Sequence, residues 1–221
     1  MKKKKSLPRS IPRPYEGALA VIGLIIVSPI LLVAAVLIRM NSRGPILFRQ
    51  QRVGLNGEAF TLFKFRTMKL ADRGLMITAA DDARVTRVGR FLRKTKIDEL
   101  PELWNVLRGD MSFVGPRPEV SDFVDLADPT WKEILGHRPG ITDPVTLRLR
   151  NEEQLLAKVV DKERYYREVI QPYKLRGYLN FVREKSWKTD IRIVARTLKA
   201  VFFPQTVKTP SKDEMKFSYA E

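Results

Sequence analysis

The sequence predicts an α+β protein, mostly helical, in which a re-entrant N-terminal membrane helix-break-helix, a small β-hairpin and amphipathic interfacial helices surround a compact cytoplasmic domain. Three observations predict it. Gly17 to Ile38 runs without a charge and has cations on both flanks. Two strand-like runs separated by Gly and Asn turn residues come next. Beyond them, apolar residues recur at helical spacing among many Lys and Arg.

Composition narrows the chemistry. At 221 residues the chain can bury one moderate core. Lys plus Arg number 41 against 25 Asp plus Glu, a net charge of +16, which favours anionic partners such as nucleic acid, acidic lipid or phosphorylated substrates. With no Cys there is no disulfide framework, thiolate nucleophile or Cys zinc site, and one His excludes a multi-His cage. Any metal is therefore oxygen-bound, with magnesium foremost.

Residues 1–16 form a basic cytoplasmic N-terminus with Lys2, Lys3, Lys4, Lys5, Arg9 and Arg13. The apolar run that follows, residues 17–39, is about the length that crosses a hydrocarbon core. It is too long for a cleaved signal peptide, and Arg39 and Arg43 follow it. Cations on both flanks give both ends a cytoplasmic preference that a straight span cannot satisfy. Ser28-Pro29 lies mid-run, where Pro removes a backbone donor and the Ser hydroxyl can satisfy the freed carbonyl. The favoured reading is a re-entrant helix that enters and leaves by one face; a Pro-kinked single span is the alternative.

Gly44-Pro45, Gly54 and Asn56-Gly57 mark turns around strands at Ile46 to Phe48 and Phe60 to Met68. Alternation along the second strand puts Lys64 and Arg66 on one face, either a solvated sheet edge or a phosphate contact. Residues 71–82 read as loop. From Arg84 to Lys94, Val85, Val88, Phe91 and Leu92 share a helical face among cations, a pattern suited to anionic lipid. Nucleic acid could use the same cations, but no stacking aromatics or recognition fold accompany them, so no nucleic-acid partner is expected.

Thr95 to Glu119 combines adjacent carboxylates, a short helix and a basic Pro-rich turn. Leu100, Leu103, Trp104 and Leu107 have helical spacing, Pro101 suits a first turn and Gly109 a C-terminal stop. Asp98 and Glu99 then sit at the helix entrance, where both are expected to stay ionised and a phosphate or metal could be held beside them. An acidic N-cap is the plainer alternative. Further on, His137 reads as structural or solvated. Asn151 to Val160 and Lys162 to Tyr178 read as helices with Tyr165, Tyr166 and Tyr173 packing. Trp187, Ile191, Val194, Leu198 and Val201 form a stripe that lies either on a bilayer or in a core. Residues 204–221 read as a polar, disordered tail.

Ser28-Pro29-Ile30, the run FKFRTM at 63–68, the block from Val85 to Glu119 and HRPGIT at 137–142 together resemble the bacterial sugar transferases, specifically the small monotopic polyprenyl-phosphate phosphoglycosyl transferases. The resemblance runs from about Leu19 to Phe203 and makes residues 40–203 the catalytic domain. It implies transfer of a phosphosugar from a UDP-sugar to undecaprenyl phosphate, releasing UMP, at the cytoplasmic face of the bacterial inner membrane. It also implies Asp98 as nucleophile through an aspartyl intermediate, and Glu99, with Asp98, as magnesium ligand. Lys64, Arg66, Arg93, Arg117 and Arg150 become phosphate-binding cations, and Ser28 and Pro29 the membrane-helix break. Lack of a preceding multi-helix membrane region fits the minimal form.

One departure stands out. Relatives continue past RPGIT with a Gly-Leu-Trp-Gln-Val-like segment and a Gly-Arg pair, whereas this chain has Asp143-Pro144 and reaches Arg150 only by ungapped counting. The competing functions are an inactive membrane scaffold, which the retained Asp98, Glu99, Lys64 and Arg117 disfavour, and a nucleic-acid binder, which leaves the apolar run unexplained. The sugar, the glycan pathway and homo-oligomerisation stay open.

Overall fold

The computed structural model describes residues 10–69 and 78–216. Lys2 to Lys5 and Arg9, residue 70, residues 71–77 of the expected loop and residues 217–221 of the expected tail lie outside the described residues. The described residues are mostly helical, with two small two-stranded sheets.

Helix α1 spans Arg13–Asn41, about 44 Å at 1.5 Å per residue. The expected break at Ser28-Pro29 does not divide it: α1 is one helix with Pro29 inside. The local chemistry explains the continuity. Pro29 has no N–H for the Ile25 carbonyl four residues back, and the Ser28 hydroxyl donates to that same carbonyl at 2.7 Å. Only Glu16, Ala20, Ala34 and Ile38 are buried along α1. Ile22, Ile25, Ile26, Leu32 and Val33 project outward.

Strands β1 (Leu47–Val53) and β2 (Ala59–Phe65) pair antiparallel, Leu47 opposite Phe65 and Val53 opposite Ala59. The turn between them takes Asn56 (φ 54°) and Gly57 (φ 83°) through left-handed conformations, as its Asn-Gly sequence favours. β1 outruns the expected Ile46 to Phe48 because its continuation, Arg49 to Arg52, is polar. β2 ends at Phe65, so Arg66 follows the strand instead of extending its alternation.

Helix α2 (Arg87–Thr95) begins at Thr86, whose hydroxyl accepts from the Gly89 N–H at 2.9 Å. A Cβ at Gly89 would stand 2.0 Å from the Thr67 carbonyl oxygen, so only glycine lets α2 lie against the chain leaving β2. Leu92 packs inward on Ala34, Ile38 and Phe65, while Phe91 is 56% exposed and leaves the expected apolar face.

Helix α3 (Glu102–Arg108) ends at Gly109 with φ 94°, the expected glycine stop. Trp104 points outward, and fully buried Asn105 takes an inward position. The Asn105 amide donates to the Thr61 carbonyl at 2.7 Å and to Asp110 at 3.1 Å, and its oxygen accepts from the Phe63 N–H at 3.1 Å. This side chain bolts β2 to α3. Asn105→Ala strands those buried groups and is expected to destabilise the protein by about 2–4 kcal/mol, read as a lower denaturant midpoint.

Strands β3 (Ser112–Val114) and β4 (Gly140–Thr142) pair in parallel across α4 (Pro129–Leu135). Asp143-Pro144 then opens α5 (Pro144–Arg148): the buried Asp143 carboxylate accepts from the N–H groups of Val145 and Thr146, and Pro144 fills the first helical position. Helices α6 (Glu152–Leu156), α7 (Lys162–Tyr165), α8 (Gln171–Glu184) and α9 (Trp187–Phe202) follow. Trp131, Ile134, Val145, Tyr166, Ile170 and Tyr178 centre the main core. Trp187, Ile191, Leu198 and Val201 of α9 face outward, so most of the predicted stripe is not core.

Of the tail expected from residue 204 onward, the structure describes residues up to 216. Helix α10 (Lys212–Lys216) puts Met215, fully buried, into the main core, and Glu214 pairs with Arg148 at 2.6 Å.

Candidate active site

Four chain segments converge on one group of charges. α2 ends at Lys96, whose left-handed conformation (φ 60°) turns the chain into a single 3-10 turn, Ile97–Glu99. Asp98 and Glu99 lie in this turn, ahead of Pro101 and α3. β2 contributes Lys64, and the loop after β3 contributes Arg117.

Glu99 Oε1 accepts from Arg117 at 2.5 Å and from Lys64 at 3.2 Å. Lys64 also lies 3.1 Å from Glu102 Oε1. Asp98 is 9% exposed, and its Oδ1 is buried without a hydrogen-bond partner. Lys64, Arg117 and the Asp98-Glu99 pair are thus brought together as the sequence suggested.

The two carboxyls differ electrostatically. Burial and then the neighbouring Glu99 charge push the Asp98 pKa up. Burial also pushes Glu99 upward, but Arg117 and Lys64 outweigh it and hold Glu99 well below the ordinary glutamate value. Asp98 lies in the buried turn before α3, which starts at Glu102, so burial there works against the ionised form that a helix entrance was expected to favour. Burial likewise raises Glu102, only partly offset by Lys64. Arg117 would be lowered by burial, yet Glu99 and Glu102 hold it well above its ordinary value.

The loop carrying Arg117 is fastened from behind. The Gly140 N–H donates to the Pro116 carbonyl at 3.0 Å, and Arg52 to the Pro118 carbonyl at 3.1 Å. The buried Glu119 carboxylate accepts from the Tyr166 hydroxyl at 2.8 Å and Lys174 at 3.4 Å, with Arg52 3.8 Å away. His137 lies beside this loop, its pKa lowered by burial and by Lys185.

The other expected cations are already engaged. Arg93 donates to Thr67 and to Glu153, both at 2.8 Å, near enough to Asp98 to favour its ionised form. Arg66, one residue beyond β2, is buried and holds the carbonyls of Ser42 (2.8 Å) and Arg43 (2.5 Å), so it ties down the end of α1. Arg150 donates to the Ala200 carbonyl of α9. Sequence reasoning missed Glu102, Asn105 and Glu119; for Glu102 the three-residue spacing from Glu99 was the available signal.

Asp98 and Glu99 are suitable hard oxygen donors for magnesium, and the unpartnered Asp98 Oδ1 is a free ligand atom. Among the described residues no group of three or more acidic or histidine side chains forms a ready cage. Remaining ligands would come from water and a substrate's phosphates, a common arrangement for this ion.

The sequence profile described as bacterial sugar transferase matches residues 8–204. The chain is 39% identical over 177 residues to the UDP-glucose:undecaprenyl-phosphate glucose-1-phosphate transferase of Caulobacter vibrioides, covering 77% of this chain and 62% of that protein. It is 47% identical over 140 residues to the UDP-N-acetylgalactosamine-undecaprenyl-phosphate N-acetylgalactosaminephosphotransferase of Aeromonas hydrophila, covering 60% of this chain and 32% of that one. It is 34% identical over 206 residues to the exopolysaccharide production protein ExoY of Sinorhizobium fredii, covering 86% and 84% respectively. The chain thus spans less than two thirds of the first two and most of the third.

Proposed function

The chain belongs to the bacterial sugar transferase family, and on that premise we propose that it moves a phosphosugar from a UDP-sugar to polyprenyl phosphate, the first membrane step of glycan assembly. The observation that carries this reading is the buried Asp98 beside a half-buried Glu99 that holds Lys64 and Arg117. A diphosphate repels a carboxylate, so the reaction needs positive charge around the phosphoryl oxygens.

Asp98 attacks the β-phosphorus of the donor. The bond to the bridging oxygen breaks, UMP leaves with that electron pair, and the phosphosugar stays on Asp98 as an acyl phosphate. Lys64 and Arg117 neutralise the phosphoryl oxygens. A polyprenyl-phosphate oxygen then attacks the same phosphorus, forming the diphosphate-linked product and regenerating the Asp98 carboxylate. Magnesium held by Asp98 and Glu99 would supply Lewis-acid charge at the diphosphate. Burial leaves the ionised form of Asp98 less well solvated than it would be in water, and Lys64, Lys96 and Arg93 offset part of that.

Support for placement on a membrane comes from α1. At its start Arg13 donates to the carbonyls of Val106 and Leu107, and Ala20 packs with Leu62, Val106 and Met111. At its end Ala34 and Ile38 pack with Phe65 and Leu92, and Arg66 grips Ser42 and Arg43. Both ends are fastened to one body. A straight helix standing across the bilayer would bring only one end to a body on one side, so this supports entry and exit by one face, with the unbroken α1 bending at Pro29 and its outward face and the stripe of α9 in lipid. The body then lies at the cytoplasmic face of the inner membrane, where a long-chain acceptor can react without leaving the bilayer. In the Cys-free chain, Ser10→Cys is expected to resist impermeant maleimide in intact cells and to label after lysis. Labelling in intact cells would show a span with its N-terminus outside.

The transfer reading is tested by incubating detergent-extracted protein with magnesium, undecaprenyl phosphate and UDP-glucose, UDP-galactose or UDP-N-acetylgalactosamine in turn. UMP release from one of them is expected. UDP release would mean ordinary glycosyl transfer and contradict the proposal.

A further inference from the structure

Glu102 stands outside the reacting pair, yet its chemical situation is unusual. It is 1% exposed, its Oε2 is buried with no hydrogen-bond partner, and Oε1 lies 3.1 Å from Lys64. Lys64 in turn divides its ammonium between Glu102 and Glu99. Glu99 Oε1 carries a second cation, Arg117.

Resting on the transfer reading, we propose that Glu102 is a positioning residue: it keeps Lys64 in the site when Glu99 is taken up by a divalent cation and the donor diphosphate arrives. A cation at Glu99 repels an ammonium 3.2 Å from the same oxygen, so that contact must loosen. The contact to Glu102 has no reason to loosen. A desolvated carboxylate cannot be left without its counter-charge except at a cost of several kcal/mol, and water does not reach Glu102 to replace Lys64. An ammonium has three donors. One stays on Glu102, and the donor that served Glu99 passes to a phosphoryl oxygen. The geometry is rigid enough for this exchange because Asn105, on the same helix as Glu102, is bonded to the backbone of Thr61 and Phe63 beside Lys64.

The test uses full-length protein in detergent with magnesium and UDP, which presents the diphosphate without a sugar. Glu102→Gln and Glu102→Leu are expected to weaken UDP binding by calorimetry about tenfold or more, while magnesium affinity stays within about twofold of wild type. Lys64→Met should lose a similar factor, and adding Glu102→Gln to it should cost no further UDP affinity, since Glu102 acts only through Lys64. In parallel, acetic anhydride labelling of Lys64, quantified by peptide mass spectrometry, is expected to rise severalfold with magnesium in the Glu102 variants and to stay low in wild type.

Unchanged UDP affinity in both Glu102 variants would overturn the proposal, as would additive losses. A fall in magnesium affinity would also overturn it by making Glu102 a ligand. Should wild type bind no UDP, the transfer reading fails instead, and the Lys64 labelling decides the positioning role by itself. Thermal midpoints identify any variant that is merely unfolded.

Discussion

Asp98→Asn is expected to reduce phosphosugar transfer below about a thousandth of wild type while leaving the protein at least as stable. The amide matches the carboxylate in shape but cannot attack phosphorus. Stability follows from the sign of the pKa shift. A carboxyl whose folded pKa is raised binds more protons when folded, so its ionisation costs stability as pH rises through the range between its unfolded and folded values. At neutral pH the variant lacks that cost. UMP release and a thermal melt on the same preparation check both halves. Wild-type-like turnover would remove Asp98 from the mechanism; an inactive, unfolded variant would show that Asp98 is structural.

Glu99→Gln is expected to be nearly as damaging to turnover, by about a hundredfold or more, but with the opposite effect on stability. Arg117 and Lys64 lower the Glu99 pKa in the folded protein. Its contribution to stability is therefore full above the unfolded glutamate value, about 4.3, and is lost as pH falls. Removing the charge leaves Arg117 facing an amide. The cost is about 2–3 kcal/mol, near the low end for a buried pair because the Arg117 side chain is 24% exposed. Denaturant curves at neutral pH and near pH 3 should show this gap and its narrowing as pH falls. The magnesium concentration giving half-maximal activity should rise, and an unchanged magnesium response would remove Glu99 from metal binding.

Local chemistry was legible in the sequence where it depends on neighbours in the chain. Asn56-Gly57 specified the hairpin turn, Gly109 the end of α3, and the Asp98-Glu99 dipeptide the centre of the site. Ser28 beside Pro29 announced the repair of the Ile25 carbonyl. Pattern reasoning failed where an element ended or where the partner lay far along the chain. Alternation grouped Arg66 with Lys64, but β2 stops at Phe65, and Arg66 serves the end of α1 instead.

Asp143-Pro144, the departure from the family pattern, is an N-cap and first residue that start α5, and two residues beyond that helix Arg150 reaches the Ala200 carbonyl. Glu102 joins the site because β2 places Lys64 against it. Glu119 acquires its meaning from Arg52, Tyr166 and Lys174, which arrive from distant segments. No local period encodes such meetings; they are set by the packing of the whole domain.

The measurement that tests the central claim most directly is a single-turnover reaction with an accepted UDP-sugar, magnesium and no polyprenyl phosphate. The account predicts about one UMP per protein molecule, with the phosphosugar mass on the peptide containing Asp98 and its release on adding polyprenyl phosphate. UMP that appears only once the lipid phosphate is present, with no adduct on Asp98, would contradict it.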